Sequence, residues 1–202
     1  NQFYNKESIN NLILKDDCPY GIKAILAILN SRLISWYYSV RFTNESTLTV
    51  NLSKEYLSKI PVSVNILNNQ EEIIEFAEGM LEKSRDMSLQ ITKLQTFFVQ
   101  KYALESVSNK LENWQDLDFG DFIKELNKAI KATNKQRDKD GLAPIATLTK
   151  TDEFEWLDLF EQNKKKAQDL QLQINTIEQQ IDAMVYELYG LSDDEIRIVE
   201  GS

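Results

Sequence analysis

Between Leu170 and Leu191 the apolar residues Leu170, Ile174, Ile177, Ile181, Met184, Leu188 and Leu191 recur in alternating steps of four and three. A strand repeats its apolar face every second residue, so only a helix gathers these positions into one stripe, about three heptads of coiled-coil seam. The helix is expected to start at Asp152 as its cap, pass through Glu155 and end at Tyr189. Gly190 stops it as the residue that accepts a left-handed backbone. Ser192-Asp193-Asp194-Glu195 then reads as a capping box for a final short turn ending near Val199.

A stripe this long has to be covered. The run Gln70–Tyr102 places Ile74, Ala77, Leu81, Ser84, Met87, Ile91, Leu94 and Phe98 three and four apart. An antiparallel helical hairpin, Gln70–Tyr102 against Asp152–Tyr189, buries both seams; a homodimer through the coiled coil is the alternative. A third helical region is expected from about Phe119 to Arg137, starting near Asp118 and presenting Phe122, Leu126 and Ile130. Asp138-Lys139-Asp140-Gly141 reads as a turn, since its glycine comes too early for a calcium-binding loop.

The first third has another character. A strand is expected near Ile9–Leu14, then a turn through Asp16 to Pro19. One largely buried helix is expected over Gly21–Phe42, with Ile25, Leu26, Leu29, Leu33, Trp36, Tyr37 and Val40 at helical spacing. Leu48, Val50 and Leu52 alternate with Thr47, Thr49 and Asn51, the pattern of a half-buried strand or extended loop. Ser53 can cap a short helix over Lys54–Ser58, which must stop before Ile60-Pro61 because proline restricts its predecessor. The expected architecture is mainly α: residues 68–202 a long antiparallel helical hairpin or coiled coil, residues 1–67 a small α+β piece. With 6 Gly and 3 Pro, a turn-rich β-sandwich is disfavoured.

What is missing excludes whole classes of chemistry. There is no histidine, which removes Ser-His-Asp and Cys-His sites and zinc sites with imidazole ligands. No glycine-rich phosphate loop and no Glu-x-Lys nuclease tripeptide occurs. Catalysis, metal binding and cofactor binding are therefore not expected in these residues. Cys18 has no cysteine to pair with, which fits a reducing cytoplasm. The most apolar stretch, Ile22–Phe42, is broken by Lys23, Asn30, Ser31, Arg32 and Arg41 and is too polar to span a bilayer. Asn1 stands where an initiator methionine would, so the start reads as a cut or cleavage point. The net charge of −9 opposes nucleic acid, yet residues 1–67 hold 7 basic and 5 acidic groups, net +2, against 16 and 27, net −11, in the rest.

Several segments then carry a resemblance. Ala27-Ile28-Leu29-Asn30-Ser31-Arg32-Leu33-Ile34-Ser35-Trp36-Tyr37-Tyr38 resembles a helix of TaqI-like C-terminal specificity domains, found in adenine-N6 DNA methyltransferases and fused type II restriction–modification enzymes. Asn51–Val62 is similar to the exit from that recognition domain, and Asn69-Gln70-Glu71-Glu72-Ile73 to the start of the spacer helix that follows, also seen in type I specificity subunits. Ile181–Ile196 is similar to the ending of these proteins. Their Asn-Pro-Pro-Tyr methylation motif, cofactor glycines and nuclease motif are missing here, and only the last sixty-odd residues of the recognition domain are matched.

The resemblance implies a non-catalytic DNA-recognition and scaffolding fragment of such an enzyme, with S-adenosylmethionine and Mg needed only by the parent. Its partners would be double-stranded DNA and the parent's N-terminal methyltransferase or nuclease portion. DNA contact is then expected from the segment Ser39–Ser53. Arg41 can fork onto guanine or meet phosphate, and Asn44 and Asn51 can serve adenine. Lys54 and Lys59 would meet phosphates, with hydroxyls from Thr43, Thr47 and Thr49. Trp36, Tyr37 and Tyr38 are expected in the core rather than stacked on bases, and Asn30-Ser31 in a structural role. The rival reading is a helical protein–protein interaction module that docks a methyltransferase or nuclease without touching DNA.

Overall fold

Helix after helix follows from the seams, and a computed structural model describes residues 13–42 and 54–201 of the chain. The elements are α1 (Ile22–Leu29), α2 (Arg32–Phe42), α3 (Lys54–Leu57), α4 (Ile66–Lys101), α5 (Asn109–Glu112), α6 (Phe119–Lys139), α7 (Lys150–Tyr189) and α8 (Asp193–Glu200), with a 3-10 turn at Trp114–Asp116. The fold is mainly α as expected, and no strand occurs among the described residues. The expected strand at Leu48–Leu52 and the Ser53 cap lie outside the described residues, as does most of the one at Ile9–Leu14; Ile13 and Leu14 are irregular.

Several boundaries differ from expectation. The helix expected over Gly21–Phe42 is two helices, because the buried Ser31 competes for the backbone. Its hydroxyl donates to the Ile28 carbonyl (2.7 Å) and accepts from the Ile34 amide (3.3 Å), while the Asn30 amide group donates to the Leu26 carbonyl (2.8 Å). The helix expected from Asp152 starts earlier. Thr149 is the cap and Asp152 its third-residue partner, each accepting from the other's backbone amide (3.2 and 2.7 Å). α4 begins at Ile66 with a kink at Asn69 (φ −122°, ψ 18°), and α6 runs through Asp138 and Lys139, so the turn is confined to Asp140-Gly141. Asp118, where the third helical region was expected to start, caps α6, and the expected Ser192–Glu195 capping box opens a two-turn helix, α8.

The seams are longer than their apolar letters. On α7, Trp156, Phe160, Asn163, Ala167, Leu170, Ile174, Ile177, Ile181, Met184 and Leu188 are all buried or half-buried. The four-three alternation therefore starts two heptads before Leu170, masked in sequence by Asn163 and Ala167. On α4 the seam between Ile66 and Met80 runs through Ile73 and Ala77; Leu81, placed in it by spacing, is 47 % exposed, and Ser84 is exposed.

The chain divides into two units: Asn1–Leu81 with Thr176–Ser202, and Glu82–Asn175. α4 and α7 each contribute a length to both. The first unit has an aliphatic core, in which Ala24, Ala27 and Ile28 of α1 and Leu33, Ile34 and Tyr38 of α2 join Ile66, Ile73, Ala77, Ile181, Val185, Leu188 and Val199. The second has an aromatic core built on Phe98, Tyr102, Trp114, Phe122, Trp156 and Phe160, with Leu111, Leu126 and Ile130. Several buried polar atoms in the second unit are matched, although Gln115 Oε1 is buried without a partner among the described residues. The Trp156 indole N–H donates to the Tyr102 hydroxyl (2.8 Å), that of Trp114 to the Ile91 carbonyl (3.1 Å), and the Gln90 amide to Asn163 Oδ1 (2.6 Å).

Candidate nucleic-acid interface

The segment expected to meet DNA is bounded by α2 and α3, whose facing ends are joined by aromatic rings. Phe42, the last residue of α2, stacks on Tyr56 of α3 with centroids 4.9 Å apart and planes at 21°. Tyr38 packs against both, at 5.3 Å from Phe42 and 6.2 Å from Tyr56, and Tyr37 meets Phe42 edge-on. Such pairs add about 0.5–1.5 kcal/mol each beyond their buried area. Phe42 and Tyr56, on either side of residues 43–53, thus belong to one aromatic cluster packed against the first unit's core. Tyr38 is buried in the core and Trp36 and Tyr37 are half-buried.

The clasp is itself anchored at its far end. The Arg32 amide at the start of α2 donates to Asp182 Oδ1 of α7 (2.7 Å), a helix cap supplied from 150 residues away. Burial pushes the Asp182 carboxyl above its ordinary value, opposed by that amide and by the Arg32 charge. The Arg32 guanidinium donates to the Glu200 carbonyl of α8 (2.8 Å). After α3 the exit is fastened too: the Tyr189 hydroxyl donates to the Pro61 carbonyl (2.7 Å) and that of Ser63 to the Leu188 carbonyl (3.1 Å).

Of the expected contact residues, Arg41 lies exposed in the last turn of α2 and Lys54 opens α3. Lys59 is exposed just beyond α3, its Nζ on Glu55 Oε1 (2.7 Å) and 5.8 Å from the Tyr56 ring centre. The Lys59 ammonium holds the Glu55 carboxyl below its ordinary value through that hydrogen bond and its charge. A phosphate would have to displace Glu55, and an exposed pair of this kind is readily exchanged. Asn44, Asn51, Thr43, Thr47 and Thr49 lie outside the described residues. Sequence reasoning missed the Phe42–Tyr56 clasp and the Asp182 cap, both long-range; the four-residue step from Glu55 to Lys59 was visible.

Cys18 is half-buried, and among the described residues no group of three acidic, Cys or His residues could hold a metal. No helix of the described residues is long and apolar enough to cross a membrane.

Comparison with known families supplies two matches. Residues 1–62 match the TaqI-like C-terminal specificity domain, so this part of the chain is a TaqI-like C-terminal specificity region. Residues 66–185 match the family described as a domain of unknown function (DUF8810), and since these are 120 of the 202 residues, the chain belongs to that family. No curated protein and no solved structure matches the chain.

Proposed function

We propose that this chain is the DNA sequence-recognition and scaffolding part of a bacterial restriction–modification enzyme and performs no chemistry itself. The match of residues 1–62 to a TaqI-like specificity domain is the observation that carries the reading. The aromatic clasp supports it, because it holds Arg41 and α3, which lie on either side of residues 43–53, close enough to flank a DNA groove. In this reading Arg41 forks onto guanine O6 and N7 or onto a phosphate, Asn44 and Asn51 serve the adenine edge, and Lys54 and Lys59 hold backbone phosphates. Recognition domains need such division: phosphate contacts supply affinity, base-edge contacts supply selectivity.

The S-adenosylmethionine- and Mg-dependent steps then belong to the N-terminal methyltransferase or nuclease portion of the parent enzyme, in the cytoplasm, and residues 68–202 act as its spacer. No cofactor is assigned to this chain.

Fluorescence anisotropy with a labelled duplex of mixed sequence, at low and physiological salt, tests the reading. Binding should fall steeply with salt, and Lys54→Ala should reduce the slope of log K against log salt by about 0.9. Arg41→Ala should cost about 1–3 kcal/mol and relax base preference once a target is found. Absence of binding at low salt would overturn autonomous recognition and favour the helical docking module instead.

A further inference from the structure

The second unit carries a face of lysines on α6. On α6, Lys124, Lys128, Lys131, Lys135 and Lys139 follow one another in steps of four, three, four and four, which at 100° per residue aligns them along one side of the helix. The opposite side is the core, formed by Phe122, Leu126, Ala129, Ile130 and Thr133. Asn134 exchanges two hydrogen bonds with the backbone of Ile145 (2.7 and 2.8 Å), and Asn127 accepts from the Leu148 amide (3.2 Å). The helix is therefore fixed on its core and on one flank, and all five lysines are exposed.

Its acids offset only part of the stripe, pairing with Lys124 and Lys128. Glu125 is buried, and the Lys128 ammonium and the Ser108 hydroxyl hold its carboxyl below the ordinary value despite that burial. Asp121 pairs with Lys124 (3.8 Å), and Asp138 sits at the stripe's edge in the last turn. Lys131, Lys135 and Lys139 have no ion-pair partner among the described residues. α6 holds 6 basic and 3 acidic residues, net +3, in a chain of net −9. Lysines in a final turn answer the helix dipole, but Lys124, Lys128 and Lys131 lie too far from the C-terminus for that.

We infer that this lysine face binds the phosphate backbone of double-stranded DNA without reading its sequence. The match is one of charge and spacing. Five ammonium groups over about 22 Å of helix axis give one positive charge per roughly 5 Å, against one phosphate per about 3.4 Å of axis on each strand. Each lysine can meet its own phosphate. An acidic protein surface would not offer so regular a row. The inference rests on the DNA-binding reading above and adds a second contact surface that supplies affinity rather than selectivity.

The test uses the full chain carrying Lys131→Gln, Lys135→Gln and Lys139→Gln, with the corresponding triple arginine variant beside it. A labelled mixed-sequence duplex is titrated by anisotropy between about 50 and 200 mM salt. Removing three phosphate contacts should flatten the salt slope by about 2.7, so that the parent's affinity falls about 40-fold more than the variant's across that range. The arginine variant should keep the parent slope, and helicity and Tm should be unchanged in both. Unchanged affinity and slope in the glutamine variant, with Arg41→Ala still weakening binding, would overturn this inference alone. A parent chain that binds no duplex at about 50 mM salt would overturn both it and the recognition reading.

Discussion

The two units solve the same problem, covering a heptad seam, with opposite means. The first collects two stretches of chain, the specificity region running into the start of α4 and the end of α7 with α8, around mainly aliphatic side chains. The second is one continuous stretch, closed on six large aromatic residues. Charge divides with them. The first unit carries 8 basic and 16 acidic residues, net −8, and the second 15 and 16, net −1. Counting along the sequence put the favourable charge in the first third; folding adds the acidic ends of α4, α7 and α8 to that third and leaves the lysine face of α6 on the near-neutral unit. Charge in a segment is thus a poor guide to field until the partners of that segment are known.

Breaking the aromatic core should separate the units most clearly. Phe122 is fully buried, stacks on Phe160 at 4.7 Å and touches Phe98 and Trp156. Phe122→Ala should cost about 3–5 kcal/mol, the transfer of a ring plus the cavity it leaves. Hydrogen exchange should show protection lost across Glu82–Asn175 and largely kept in α1 and α2. Equal loss in both units would mean that they open as one.

A pair of tyrosines sharpens the contrast at smaller scale. In the second unit the Tyr102 hydroxyl is the acceptor for the buried Trp156 N–H, and burial raises the Tyr102 hydroxyl's own pKa. Tyr102→Phe orphans that donor and should cost about 1–3 kcal/mol. In the first unit the buried Tyr186 hydroxyl has no hydrogen-bond partner among the described residues. Tyr186→Phe should be neutral or stabilise by up to about 1 kcal/mol. Urea unfolding of the two variants, compared with the parent, decides it; similar losses from both would refute the difference.

The smallest expected effect concerns how α4 and α7 end. Both close with the same backbone pattern: the Leu104 amide donates to the Val99 carbonyl and the Leu191 amide to the Tyr186 carbonyl, each at 3.0 Å. The left-handed residue is Gly190 (φ 67°) in one and Ala103 (φ 43°) in the other. A Cβ in that region costs about 1 kcal/mol. Ala103→Gly should therefore raise stability by up to about 1 kcal/mol, and Gly190→Ala should lower it by about as much. A Tm shift of the same sign for both would show that something other than backbone strain governs these turns.

Much of this was legible before folding. The heptad letters of Leu170–Leu191 require a helix with a buried stripe, because no other backbone puts steps of four and three on one side. The Gly190 stop, the Ser192–Glu195 box and the Asp118 cap are local, each a side chain satisfying backbone groups within one turn. The motifs of Ala27–Tyr38 and Asn51–Val62 carried the specificity-domain resemblance that the family match bears out.

What tertiary structure alone decided is everything that depends on residues far apart in sequence. Asn163 looks like an interruption of the seam until Gln90 is found opposite it. Asp182 looks like a surface acid on a helix until it caps α2, and Phe42 and Tyr56 become a clasp only once α2 and α3 meet. Periodicity reports which side of one helix is apolar; it holds no information on which partner covers that side. That choice is made by packing and by the pairing of buried polar atoms.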